Sequence, residues 1–334
     1  MERRESHLTH RQRSNEASLA WVLVCAVGAA LFAVMIATQG ALAQDIQDPS
    51  NGWFQKCGPV VDDPNTPEVE GTGEYDPIVA PGKFPYGHRH LFFGATAINY
   101  NSTRDSLLAG GTTCRFKNGT DIIVEGEPDP SGGNRSAYWV PDLQLSDGTW
   151  AGGKQLNAYY KKGASSVDAH VIKPYPDGLK MIIRDTTSSK ASVKWFCSNI
   201  NGEGNNGNLQ ERPYNCKAGG TYPWVTAHIT FPQCGDGRLD SEDHISHMVY
   251  AGDNGCPETH PHEFVRLFIT AKYDTSLGAD SQLAATEPVD PAHADPGTGF
   301  HADWFEAWQP GTLQFFVDRC IRAGINCGDG DRLP

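Results

Sequence analysis

Four short stretches bring histidines together with one another or with carboxylates. "GHRH" sets His88 and His90 two residues apart, and "LDSEDHISH" carries Asp243, His244 and His247. "THPH" contributes His260, and "GFHADWFEAW" contributes His301 and Asp303. Neutral imidazole is a common ligand for transition metals, and three such ligands leave a position open for water or oxygen. In an extended segment residues i and i+2 share a face, so His88 and His90 make half of a metal site. A helical turn over "DHISH" would put His244 and His247 on one side, with Asp243 as an acceptor that orients a ring. Taken singly, each stretch fits surface histidines or a capped polar loop equally well. Their accumulation points to one centre. Its candidate metal ligands are His88, His90, His244, His247, His260 and His301, with Asp243 and Asp303 as orienting carboxylates or general bases. Zinc or copper suits such a donor set.

Residues so far apart in the chain need a rigid frame, and cysteines supply one. Of the nine, Cys25 lies in an N-terminal apolar run, which leaves eight. No C-x-x-C pair occurs, which argues against a thiolate zinc site. Proximity in sequence pairs Cys57 with Cys114, Cys197 with Cys216, Cys234 with Cys256 and Cys320 with Cys327. A Cys234–Cys256 bridge closes the loop bearing Asp243, His244 and His247 and ends just before His260. Closing a loop of this size contributes roughly 3 kcal/mol in the chain-entropy model.

An even cysteine set implies an oxidising compartment. The start of the chain agrees: "MERRESHLTHRQR" is basic, "LAWVLVCAVGAALFAVMIATQG" is apolar, and "ALA" precedes Gln44. Residues 1–43 therefore read as a signal peptide, giving a secreted protein, or as an anchor that holds it to a membrane through residues 19–40. Residues 44–74 read as an extended lead-in and 75–334 as a single β-rich domain.

The remaining composition bounds the fold and the partners. Aromatics at 10% support a packed core, and Gly 36 with Pro 22 indicate many turns. Short β-branched or alternating runs recur: "KMIIRD", "SVKWFC", "VTAHITF" and "FVRLFITAKY". Residues 276–298 look like a long surface loop. A helix is expected over "LQFFVDRCIRAG", ended by Gly324, and a shorter helical turn over "ADWFEAW". The expected fold is mainly β: a β-sandwich or jelly-roll-like body with long loops, four disulfides and a short C-terminal helix. The net charge of −13 excludes a nucleic-acid binder, which needs a basic footprint.

The motifs in order resemble a known family. "YDPIVAPG" precedes "GHRHLFFG"; then come "GTTC", "SAYWVPDL", "PDGLKMI", "WFC", "FPQCGDGRLDSEDHISHMVY", "CPETHP" and "GFHADWFEAW". This order is similar to the secreted fungal and bacterial family catalogued as domain of unknown function nineteen-ninety-six, over about residues 75–327. The family's histidine patterns fall on His88 and His90, on Asp243 with His244 and His247, on His260, and on His301 with Asp303. The chain departs from the family where Gly235 replaces a more usual Trp and Trp304 a more usual Phe. The resemblance implies a secreted protein, often from organisms that process biomass, and supplies no activity.

Two further classes stand beside a metal-dependent hydrolase or oxidase acting on extracellular polysaccharide. One is a non-catalytic carbohydrate- or wall-binding module, and the other a metal-free glycosidase with paired carboxylates. Tyr138, Trp139, Tyr159 and Tyr160 are candidate sugar-stacking surfaces or core residues. Asn101, Asn118 and Asn134 head Asn-x-Ser/Thr sequons.

Overall fold

The computed structural model describes residues 51–60, 72–116, 131–145, 150–162, 168–184, 193–199, 220–252, 254–273 and 300–328, with short pieces at 122–124, 127–129, 203–205, 216 and 281–283. The signal or anchor segment, Asn118 and most of the expected 276–298 loop lie outside these residues.

Two sheets carry the fold. Their strands are β1 (Gly52–Cys57), β2 (Thr72–Gly73), β3 (His90–Gly94), β4 (Cys114–Arg115), β5 (Ala137–Pro141), β6 (Gly153–Lys161), β7 (Lys180–Arg184), β8 (Val193–Ser198), β9 (Trp224–Thr230), β10 (Arg266–Tyr273), β11 (His301–Phe305) and β12 (Asn326–Gly328). The seven-stranded sheet runs β8-β9-β10-β6-β1-β12, with β4 also pairing with β1; the five-stranded sheet runs β7-β11-β5-β3-β2. Pairing is antiparallel except between β1 and β12. β1 falls inside the segment expected as a lead-in, yet it is an interior strand whose Trp53 is wholly buried.

The sheets pack face to face, as the expected β-sandwich requires. Leu91, Phe93, Tyr138, Val140, Met181 and Trp304 of one meet Trp53, Leu156, Tyr160, Ala227, Ile229 and Ile269 of the other in one core. Tyr138 and Tyr160 join across it through their hydroxyls at 2.7 Å, and Trp308 donates to the Tyr160 hydroxyl at 3.2 Å. Tyr138, Trp139 and Tyr160 are fully buried, so they are core residues and not stacking surfaces. Tyr159 stands between Phe54 and Phe268 on the outer face of the larger sheet.

The outer face of the five-stranded sheet holds a second core. Tyr75, Ile78, Ile98 and Leu107 cover Phe92, Trp139, Ile182 and Phe305. Leu107 comes from α1 (Arg104–Ala109), whose start is fixed by a reciprocal cap between Thr103 and Ser106.

All four expected disulfides form: Cys57–Cys114, Cys197–Cys216, Cys234–Cys256 and Cys320–Cys327. The C-terminal helix also forms, as α2 (Thr312–Phe316) widening into a π-helical stretch over Val317–Arg322, with Gly324 left-handed just beyond. The helical turn expected over "ADWFEAW" does not: His301–Phe305 is strand β11, with Ala302 and Trp304 turned into the core. Among the described residues no helix is long and apolar enough to cross a membrane.

Candidate metal centre

Strand alternation builds the site. In β3, Leu91 and Phe93 face the sandwich core, so His90 and Phe92 face outward. In β11, Ala302 and Trp304 take the core and leave His301 and Asp303 outside. Register aligns Asp303 with Trp139 and Trp139 with Phe92. Two residues further along each strand, His301, Pro141 and His90 form the next row. Pro141 carries only a short ring, which leaves room above it. The His90 and His301 rings meet there, with centroids 5.0 Å apart. His88, in the loop entering β3, comes in over His90 at 4.3 Å between centroids.

The nitrogens converge. His301 Nε2 lies 3.1 Å from His90 Nε2 and 2.9 Å from His88 Nε2. Each of the three rings offers one nitrogen to a group whose members lie within 4.8 Å of one another. At His90 and His301 the opposite nitrogens settle the proton positions. His90 Nδ1 lies 2.9 Å from the Tyr75 carbonyl, which accepts only, so Nδ1 carries the hydrogen and Nε2 is bare. His301 Nδ1 lies 2.5 Å from Asp303 Oδ2 and donates to it, which turns Nε2 to the same point. The Nε2 lone pairs of neutral His90 and His301 then face one another, and His88 brings a third Nε2 to the same point. A cation relieves that arrangement, and the spacing is close to the edge of about 3.3 Å in a tetrahedron with zinc–imidazole bonds. The residues present therefore fit a divalent ion.

Burial and charge agree. Burial, then the neighbouring His301, lowers His88 to about 3. Burial, His301 and His88 hold His90 well below its usual range, against the pull of the Tyr75 carbonyl. Both stay neutral, as ligands must. Burial also opposes a charge on His301, but the Asp303 carboxylate, its hydrogen bond and Asp76 outweigh it and raise the group. Burial lifts Asp303 itself to about 6 against the pull of His301. The field of Asp76 and Asp303 thus favours a cation where the rings meet. Asp303 Oδ1 and His88 Nδ1 are buried without a hydrogen-bond partner among the described residues. His90 is buried whereas His88 and His301 are partly exposed, so the centre opens on one side to solvent.

The other sequence candidates lie elsewhere. "DHISH" is a chain of turns and not a helical turn, and His244 sits at φ 58. His244 Nδ1 lies 2.9 Å from Asp240 Oδ1. His247 is buried and donates from Nε2 to the Lys180 carbonyl at 2.7 Å, with Ser241 Oγ 2.9 Å from Nδ1. His260 spans the Ser246 carbonyl and the Thr259 hydroxyl. Asp243 accepts from Ser241 Oγ and the Ile245 and Ser246 amides, which hold it well below the usual carboxylate range. Strand β7 separates the two groups: Lys180 at one end meets His247, while Arg184 at the other pairs with His301. That is about 13 Å along a strand. The Cys234–Cys256 bridge confines its loop to a small three-stranded sheet and does not bring it to His88.

Sequence reasoning missed two contributors. Asp76 faces the site, and the Tyr75 carbonyl orients His90. The signal for Asp76 was "YDPIV", where an Asp before Pro accepts from the amides of Ile78 and Val79. A backbone carbonyl leaves no trace in sequence.

Fold and site together define a disulfide-bonded β-sandwich with a three-histidine centre on the outer face of its smaller sheet. The chain belongs to the family described as Domain of unknown function (DUF1996), whose sequence model matches residues 76–308. Comparison with curated proteins and with solved structures finds no match.

Proposed function

We propose that the protein holds one divalent transition-metal ion, zinc or copper, on the Nε2 atoms of His88, His90 and His301, and that it is a secreted metal-dependent enzyme acting on extracellular polysaccharide. The observation that carries this reading is the meeting of three imidazole nitrogens from two distant chain segments, two of the rings oriented from behind by Tyr75 and Asp303. Three protein ligands with one side open are the pattern of a catalytic rather than a structural ion. A bound ion supplies a Lewis acid and an acidified water at that open side. The four disulfides fit an exported chain.

A metal-free glycosidase draws less support. Such an enzyme needs two carboxyl groups flanking the scissile bond. Asp303 is fully buried behind His301, and Asp243 is tied into its own loop.

Trace-element analysis of untagged protein tests the centre. One ion per chain is expected, lost in His88→Ala and in His301→Ala and kept in His244→Ala and His260→Ala. Substoichiometric metal that neither of the first two changes alter ends the reading. Product analysis on a polysaccharide panel, with and without chelator, then tests the chemistry. Retention without cleavage identifies a binding module instead.

A further inference from the structure

Across strand β3 from the centre, where Arg89 points away from His88 and His90, an exposed aromatic is left unused by the metal reading. Arg89 lies between His88 and His90, and its Nε donates to Asp142 Oδ2 at 2.9 Å. Asp142 is fully buried, follows Pro141, and accepts from the Leu143 and Gly152 amides through its other oxygen. The Asp142 amide in turn donates to the Arg89 carbonyl. The guanidinium is thus fixed, and the Trp150 ring lies over it at 5.4 Å. Trp150 is 38% exposed, the one tryptophan among the exposed large hydrophobics of the described residues.

An exposed indole on a tethered guanidinium is preorganised: its orientation is set before any ligand arrives. Its chemistry suits a sugar, whose C–H face stacks on an aromatic while its hydroxyls accept from guanidinium N–H groups. Asp142 offsets the charge of Arg89, so the spot favours a neutral ligand over an anionic one.

We propose that Trp150, seated on Arg89, is a stacking subsite for a neutral glycan. This rests on the polysaccharide reading above and names a residue that would hold the glycan.

Affinity electrophoresis of the full, metal-loaded protein in gels containing barley β-glucan, arabinoxylan, laminarin or glucomannan tests it. The wild type should be retarded by at least one of the four. Trp150→Ala should bind that polysaccharide about tenfold more weakly. Trp150→Phe should keep most of the retardation, and Phe315→Ala, which removes an exposed aromatic on α2, should keep all of it. Metal content of Trp150→Ala should stay at the wild-type level, which separates loss of the subsite from loss of the centre. Equal retardation of wild type and Trp150→Ala overturns the subsite and leaves the metal centre standing. Absence of retardation of the wild type in all four gels overturns the subsite as well. Retardation that depends on Trp150 in a protein with no bound metal supports the glycan site and ends the metal reading alone.

Discussion

An imidazole can offer a metal only the nitrogen that its other nitrogen leaves bare. At His90 and His301 that choice is made from behind, by the Tyr75 carbonyl and the Asp303 carboxylate. Asp303 differs from Tyr75 in bringing charge, which makes His301 a stronger donor. Asp303→Asn should therefore weaken metal binding by about 10- to 100-fold while leaving one site per chain. Competition against a chromogenic chelator reads this directly, and an unchanged affinity would leave the carboxylate without that role. The "HRH" pair was legible because two residues apart is a face relation in extended chain, whereas "HAD" was legible only as a histidine near a carboxylate, since a helical turn was expected from Ala302 onwards. The Tyr75 carbonyl was not, because every residue has one.

Elements decided which of the six candidate histidines met. β3 and β11 are separated only by β5, and at the shared row β5 presents Pro141, so side chains two strands apart reach each other. The "DHISH" loop instead docks on the far end of β7, where His247 works as a fastener to the Lys180 carbonyl. Replacing it leaves the half-buried Lys180 carbonyl without that donor, which costs about 1 kcal/mol. His247→Ala should lower the urea midpoint accordingly and leave metal content unchanged. Loss of metal in that variant would mean that the loop reaches the centre after all. Periodicity could not foresee this arrangement: the i, i+3 spacing of His244 and His247 assumes a helical turn, and asparagine-like turn geometry at His244 replaces it.

At the scale of the molecule, acid sensitivity is built into the larger sheet. His228 is buried on its outer face against Phe268, and burial together with Arg266 lowers it to about 3. The unfolded chain takes up a proton below about 6.5 and the folded chain only near 3. Stability from this residue is therefore complete above about pH 6.5 and is lost as pH falls towards 3, by at most about 1.4 kcal/mol per pH unit. His228→Gln should flatten the acid limb of a denaturation profile over that window and change little at neutral pH. A profile as steep as the wild type's would place the acid sensitivity in other groups. The disulfides act at the same scale, linking β1 to β4 and closing the loops after β8 and before β12.

Local composition and pattern determined the class of fold, the disulfide pairing, the C-terminal helix and the residue types of a metal centre. These properties depend on neighbours along the chain: alternation, short loops between cysteines, a helix stopped by glycine. "ADWFEAW" was misread because its aromatics serve both helical and strand periods, and only the pairing of β11 with β5 and β7 resolves them. Which histidines form the centre was likewise decided by tertiary structure alone. His90 and His301 are neighbours because strand order and register bring distant segments into one row, and no spacing along the chain encodes that contact.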